Sequence, residues 1–433
     1  MNIARIYVDN FREFYDTTVP LDKINFLVGE NSTGKTSILK LIDLFSSSDF
    51  WFSGNFRTEN VDFSYYGDVN SNTKNSRGIT KIGIMYRGDE SEGSHYSAVL
   101  LTIVAGSNNK TILKSIRAAH ETSELDIQVR KRVGYKINNE SNFKAEMFED
   151  WCRLDGDTTG FKLVKKELKQ YMNNSPYFLV NILMNDNRVI QDNNDIEKEI
   201  RPFVDTISPF TWIAPIRIKP QLTYDGNVYD YSSDGAHAPY LLKTIMGKRG
   251  NQNTKRIISV LQEFGKESGL FDSVSVKKFS NQGNSPFSIE VITGGVKREI
   301  TNVGYGVSQV LPIVIEVLNH DAYRFAIQQP EVHLHPRAQA SLGSFFFKMV
   351  EQYSARFTIE THSDFIIDRF RQRMSKNKFS SKGVSSQVLF FEHVDGENKV
   401  HSIKIEDDGS YSEDQPESFR KFFFNEELKN ISI

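Results

Sequence analysis

The stretch Gly29-Glu30-Asn31-Ser32-Thr33-Gly34-Lys35-Thr36 matches the pattern G-x-x-x-x-G-K-[ST] at every position. Its residue types suit a polyphosphate. The glycines permit backbone torsions that turn several N–H groups inward. The positive end of a following helix adds to their pull on phosphate oxygens. Lys35 is long enough to reach the terminal phosphates, and Thr36 offers a hydroxyl to magnesium. By chance the pattern falls in about one chain in a hundred of this length, so its context decides. The apolar run Ile24–Val28 precedes it, and Ser37–Phe45 follows with helical spacing. The expectation is strand, loop and helix, with ATP and Mg2+ as cofactors and Gly29 through Ser37 as the cradle. A glycine-rich surface turn would lack both flanks.

Three further segments carry polar groups where strands end. Arg324–Gln328 is an apolar strand that runs into Gln329-Pro330-Glu331 and then Val332-His333-Leu334-His335-Pro336. A P-loop ATPase keeps its magnesium and water-handling groups at such a place. Asn302–Gln309 is a glycine-rich turn opening a helix, with Gly304, Gly306, Ser308 and Gln309 in it. Thr361-His362-Ser363-Asp364 follows another strand. Each has an ordinary reading as well. Glycine turns before helices are common, and a lone histidine is more often packed in a core than used. His333 and His335 lie two apart with no third His or Cys close by, a weak pointer to zinc. The order of the four segments along the chain is what gives them weight.

Together they resemble the ABC-type ATPase heads of the RecF/SMC class, and most closely the OLD-like branch common in bacterial antiphage systems such as the Septu and PARIS types. NFREF with INFLVGENSTGKTSILK is similar to the first strands and Walker A of that branch, GYGVSQ to its signature, QQPEVHLHP to its Walker B and D-loop, and ETHSD to its switch histidine. The segments Ala214–Arg217 and Asp234–Tyr240 share the likeness, which spans about residues 1–45 and 210–375. The resemblance implies a homodimer, or a higher oligomer, closed around ATP. In it Ser308 and its helix N-terminus cap the partner's γ-phosphate and His362 contacts the same phosphate in cis. It also implies a separate effector protein, such as a nuclease, because no acidic cluster follows the last matched helix. One departure matters. The family places acids where Gln328 and Gln329 stand, to hold magnesium and to polarise water. Glutamine orients water but is a poor base, so the expected ATPase is slow, with Gln329, Glu331, His362 and Lys35 as catalytic candidates. Gln328 and Thr36 stand at the metal, and Glu360 is a second carboxylate near the γ-phosphate. A RecF-like DNA-repair ATPase and a nucleotide-gated scaffold with little hydrolysis remain as rival readings.

These groups need elements to hold them. Residues 2–8 alternate as a half-buried strand, and 80–87, 96–105 and 111–138 read as an antiparallel sheet. Residues 46–80 read as a polar loop, and 143–153 and 160–208 as mostly helical. The last third alternates: helix 308–319, strand 323–328, helix 336–352, strand 355–360, helix 363–373, strand 386–393. The expected fold class is α/β, a P-loop ABC ATPase head with a mixed or parallel sheet flanked by helices, an antiparallel β part and a helical insertion. Its expected divisions are an ATPase lobe at 1–142, a mainly helical insertion at 143–300 and a second ATPase lobe at 301–433. The tail Phe419–Leu428 is apolar on one side and suited to docking.

A net charge of -2 leaves no globally basic surface. DNA contact is then confined to local patches, Arg130-Lys131-Arg132 with Tyr135-Lys136 or Lys248-Arg249 with Lys255-Arg256, for which a solvated charged face is the simpler account. The single cysteine, Cys152, excludes an internal disulfide and a cysteine metal cluster. The opening MNIARIYVDN lacks an apolar signal core, and Val310–Leu318 is too short to span a bilayer. A cytoplasmic protein without a membrane segment is expected.

Overall fold

The computed structural model describes residues 2–71, 78–88, 96–121, 123–130, 132–138, 141–154, 159–167, 175–184, 210–226, 230–248, 250–280, 285–319, 324–376 and 384–422. In chain order the first elements are β1 (Asn2–Asp9), β2 (Thr17–Pro20), β3 (Ile24–Gly29), α1 (Lys35–Ser46), α2 (Ser48–Ser53), β4 (Ile79–Arg87), β5 (Tyr96–Ala105), β6 (Thr111–His120), β7 (Ser123–Val129), β8 (Arg132–Asn138), α3 (Phe148–Arg153), β9 (Lys162–Glu167) and α4 (Pro176–Met184). Then come β10 (Thr211–Ile213), α5 (Ala238–Gly247), α6 (Gln252–Ser268), β11 (Ser273–Lys278), β12 (Phe287–Thr293), β13 (Val296–Glu299), α7 (Tyr305–Asn319), β14 (Arg324–Gln328), α8 (Pro336–Tyr353), β15 (Arg356–Glu360), α9 (Asp364–Lys376), β16 (Ser386–Val394) and β17 (Glu397–Lys404). Contacts group the chain into two units. The first takes Met1–Leu21, Glu30–Pro209 and Phe391–Ser402, and the second Asp22–Gly29, Phe210–Phe390 and Ile403–Ile433.

In the first unit an eight-stranded sheet runs β2-β1-β4-β5-β6-β7-β8-β9, antiparallel throughout. Alternation puts Tyr7, Met85, Ala98, Leu100 and Ala119 on one face, where they pack against Phe148, Trp151 and Cys152 of α3. Burial pushes the Cys152 thiol far up, which makes it a packing residue and not a nucleophile.

Two expectations are corrected in this unit. Residues 46–80 are not simply a polar loop, because Phe50, Trp51, Phe56, Phe63 and Tyr66 are buried and α2 forms among them. Their irregular spacing has no helix or strand period, so the pattern hides a core made of aromatic edges. Within 160–208, expected to be helical, Lys162–Glu167 is a strand on the sheet edge, paired with β8. Lysines suit an edge strand because their charge discourages further pairing. The same run of Leu and Lys imitates a helical face. Most of 168–208 lies outside the described residues, apart from Ser175 and α4.

In the second unit β10, β14, β15 and β3 pair in parallel, in that order, and β16 follows before running on with β17 into the first unit. β3, INFLVG, is buried at every residue, as a central parallel strand requires. α7 is buried from Val307 through Leu318. It reads as apolar because it is the inner helix of this unit and touches little water. β11-β12-β13 form a small antiparallel sheet. The C-terminal Phe419 packs edge-on against Phe390 and Tyr411, so the expected docking of the tail begins there. Residues beyond 422 lie outside the described residues. Among the described residues no helix is long and apolar enough to cross a membrane.

Candidate nucleotide site

The phosphate loop leaves β3 at Gly29 and enters α1 at Lys35. Gly34 has φ 90°, and a Cβ there would stand 2.3 Å from the Phe14 ring. Both the left-handed backbone and the close approach demand glycine. Ser32 is left-handed too, at φ 65°. The loop closes around the Glu30 carbonyl, which accepts from Lys35 Nζ at 2.5 Å and from Thr33 Oγ1 at 2.9 Å. Glu30, Asn31 and Ser32 are exposed, Lys35 and Ser37 are buried, and Thr36 is half-buried. Ile38, Leu39, Leu41, Ile42, Leu44 and Phe45 anchor the helix behind them.

Arg12 was not among the sequence candidates. Its Nη1 donates to Ser37 Oγ at 3.3 Å and its Nε to the Asp68 carbonyl at 2.6 Å, while the guanidinium lies 4.9 Å from the Phe63 ring centre. Asn10, Arg12, Glu13 and Asp16 all have positive φ. That tight path carries the arginine to the first turn of α1. Burial lowers the Arg12 guanidinium below its ordinary range, and burial with the Arg12 charge lowers Lys40. Arg12 and Lys35 thus bring two cations to the first turn of α1, a setting for an anion. In the sequence the signal was only NFREF, since backbone torsions are not written there.

In the second unit the strand register sets Leu27, Glu360 and Gln328 abreast. Two residues beyond Leu27 the phosphate loop begins. Gln328 Nε2 donates to Glu360 Oε2 at 2.9 Å, both residues being buried. Gln329 is left-handed at φ 42°, and its N–H donates to the Glu360 carbonyl at 2.7 Å. Glu331 uses both carboxylate oxygens on the switch turn: Thr361 Oγ1 donates to one at 2.8 Å and the His362 N–H to the other at 2.7 Å. His362 itself is exposed and so is not a packed core histidine. His335 caps α8, its Nδ1 accepting from the Ala338 N–H. Among the described residues no group of three His, Cys, Asp or Glu is arranged for a metal.

Gly304 and Tyr305 are exposed at the start of α7, and Gly306 is half-exposed. A Cβ on Gly306 would stand 2.9 Å from the His333 carbonyl, so glycine lets this turn approach the 330–335 turn. The Tyr305 and His333 rings meet edge to face at 4.8 Å. Ser308 and Gln309 sit beneath, both buried, and the Ser308 hydroxyl donates to the Tyr305 carbonyl at 2.7 Å. The fold therefore joins Gln328, Gln329, Glu331, His362 and Gly306 in one cluster. At the start of α7 Tyr305 is exposed and Ser308 is buried.

The basic patches are divided. Arg130 and Arg132 are exposed, but Tyr135 is buried in the sheet and offers no ring to a base. Lys248 and Lys255 are exposed, whereas Arg256 stacks on Tyr353 at 4.6 Å and donates to Asn253 and Leu318. Lys131 and Arg249 lie outside the described residues.

The family model for the AAA ATPase domain matches residues 1–211 and 220–367. No curated protein matches the chain. Solved structures similar to it include a Smc head bound to the C-winged helix domain of ScpA, at 13% identity and a TM-score of 0.45, over 94% of this chain and 98% of that one. A Pyrococcus furiosus Smc head with an extended coiled coil, bound to the C-terminal domain of ScpA, is 11% identical over 99% of both chains, with a TM-score of 0.42. The SMC head domain from Thermotoga maritima is 10% identical over 93% of this chain and 99% of that one, with a TM-score of 0.40.

Proposed function

Because the chain belongs to the AAA ATPase domain family, we propose that it binds ATP on the loop Gly29–Ser37 and cleaves it slowly. The observation that carries this reading is the loop itself: a buried strand, a left-handed Gly34 that no other residue can replace, and a helix whose first turn gathers Lys35 and Arg12. Lys35 and Arg12 hold the phosphates through charge-assisted hydrogen bonds. Thr36 Oγ1 and the Gln328 amide oxygen are the groups for magnesium, which favours hard oxygen ligands. Gln328 offers that ion a neutral oxygen, and Glu360 supplies a negative charge next to it. Bound there, magnesium would neutralise charge on the transferring phosphoryl group.

Slow cleavage follows from the strand end. Gln329 can orient a water but cannot take its proton. Glu331 is committed to the switch turn by two hydrogen bonds, which makes it a holder of His362 more than a base. Glu360, bonded to Gln328, is the carboxylate at the strand end with a role in polarising water. His362 senses the γ-phosphate from its exposed turn. The outward Gly304-Tyr305-Gly306 turn meets the nucleotide of a second copy, so that ATP closes a homodimer or a higher oligomer. In the likeness of the four motifs to the OLD-like branch lies the support for antiphage defence, with the ATPase governing a separate effector such as a nuclease from the cytoplasm. A nucleotide-gated scaffold is the second reading, favoured by Gln328 and Gln329.

Single-turnover cleavage measured beside ATP retention tests the proposal. Retained ATP that is cleaved over minutes to hours in the presence of magnesium supports slow hydrolysis. Retention with no cleavage moves the protein to the scaffold reading, and no retention at all defeats both.

A further inference from the structure

Arg217 belongs to the segment Ala214-Pro215-Ile216-Arg217, to which the readings above give no role. It is 2% exposed, so its charge is buried in the second unit. Nη2 donates to the carbonyls of Gln328, at 3.0 Å, and Gln329, at 3.3 Å. Its Nε and Nη1 have no hydrogen-bond partner among the described residues. A buried guanidinium so sparsely bonded is costly unless a charge compensates it. The charge that opposes its burial is Glu331, and burial still prevails, pulling the guanidinium down to about 10. Glu331 in turn grips Thr361 and His362. One residue thus touches the backbone of both strand-end glutamines, two residues before the carboxylate that holds the switch turn. Gln329 has an additional need for such support, because a non-glycine residue at φ 42° is held against its own preference.

We propose that Arg217 is a positioning residue for ATP cleavage, holding the Gln328-Gln329 turn directly and, through that turn, the Glu331 carboxylate that grips the His362 amide. The proposal rests on the ATPase reading, but its structural half does not need turnover. Both bonds leave one nitrogen, Nη2, and a guanidinium, more weakly hydrated than an ammonium, suits this buried place better than a lysine would. Displacing Gln329 by a fraction of its length is enough to slow a reaction that depends on an oriented water.

The experiment compares wild type, Arg217→Gln, Arg217→Lys and Glu331→Gln in the full chain. Its readouts are ATP affinity, single-turnover cleavage, melting midpoint, and hydrogen exchange of the amide at His362. Expected for Arg217→Gln are about tenfold slower cleavage, ATP affinity within about threefold of wild type, and His362 amide exchange about tenfold faster. Arg217→Lys should recover part of both losses. Glu331→Gln keeps the size and an acceptor oxygen but removes the charge. It should raise His362 exchange as well, and the double variant should be no worse than the worse single one. The proposal is overturned if exchange at His362 is unchanged in Arg217→Gln. It is also overturned if cleavage and affinity fall together in step with the melting midpoint. Should Arg217→Gln fail to fold, Arg217→Lys decides, and exchange at His362 equal to wild type overturns the proposal. Should wild type cleave no ATP, the ATPase reading fails, and the exchange comparison still judges the hold on His362.

Discussion

The phosphate loop and the strand-end turn belong to the same motif set but were built differently. Around Gly29–Ser37 every part needed to hold a polyphosphate is present, and Arg12 adds a cation that the motif does not require. At the end of β14 the two positions where acids are expected are amides, and the nearest carboxylates are engaged, Glu360 by Gln328 and Glu331 by the switch turn. In the proposed reading the loop is better equipped for capture than the strand end is for proton removal.

The contrast is sharpened most by changing the strand end. Gln329→Glu restores a base on an already left-handed turn and should raise single-turnover cleavage about tenfold to a hundredfold, with ATP affinity little changed. If cleavage stays flat, the missing base is not what limits the reaction. Next in size is Gly34→Ala. Its Cβ would strike the Phe14 ring, and the residue would sit at φ 90°. A loss of about 2–4 kcal/mol in unfolding free energy is expected from left-handed strain and overpacking, read by denaturant titration. An unchanged stability would show that the loop can relax at little cost. Arg12→Ala should weaken ATP binding about tenfold without altering the cleavage rate of bound ATP, as calorimetry and single-turnover assays together would reveal. An effect on cleavage alone would move Arg12 from capture to chemistry.

The smallest effect expected lies on α1. Burial raises the Asp43 carboxyl above its ordinary range, against the Thr58 hydroxyl that bonds its anion. A folded-state pKa above the unfolded one gives stability that is present below the unfolded value and lost as pH rises through the folded value. At neutral pH the ionised carboxylate therefore costs stability. Asp43→Asn should raise the melting midpoint at pH 7 by about 2 °C, and the gain should shrink on acidification. A gain independent of pH would assign the effect to packing.

How much of this was legible in the sequence depended on periodicity. Between Tyr305 and Val394 the described helices carry apolar faces and the strands are short, consecutively buried runs set between them, so their order could be read with ends only a few residues off. The loop at Gly29–Thr36 was legible for another reason, since its glycines and lysine are irreplaceable there. What stayed hidden has no period. The aromatics from Phe50 to Tyr66 form a core through ring edges at irregular spacing, and Lys162–Glu167 carries a helical-looking pattern on a sheet edge. Side-chain direction was hidden as well. Tyr305 faces outward and Ser308 inward, and α7 starts three residues before the helix read at 308–319. Arg12 and Arg217 act through backbone carbonyls distant in sequence, which no local pattern records.

The central claim is that Gly29–Ser37 holds ATP, and the measurement that tests it most directly is equilibrium ATP binding by wild type and Lys35→Ala. The account predicts binding by wild type and about a hundredfold loss on removing the ammonium, with the melting midpoint of the nucleotide-free protein nearly the same. Equal affinity in the two proteins would contradict it.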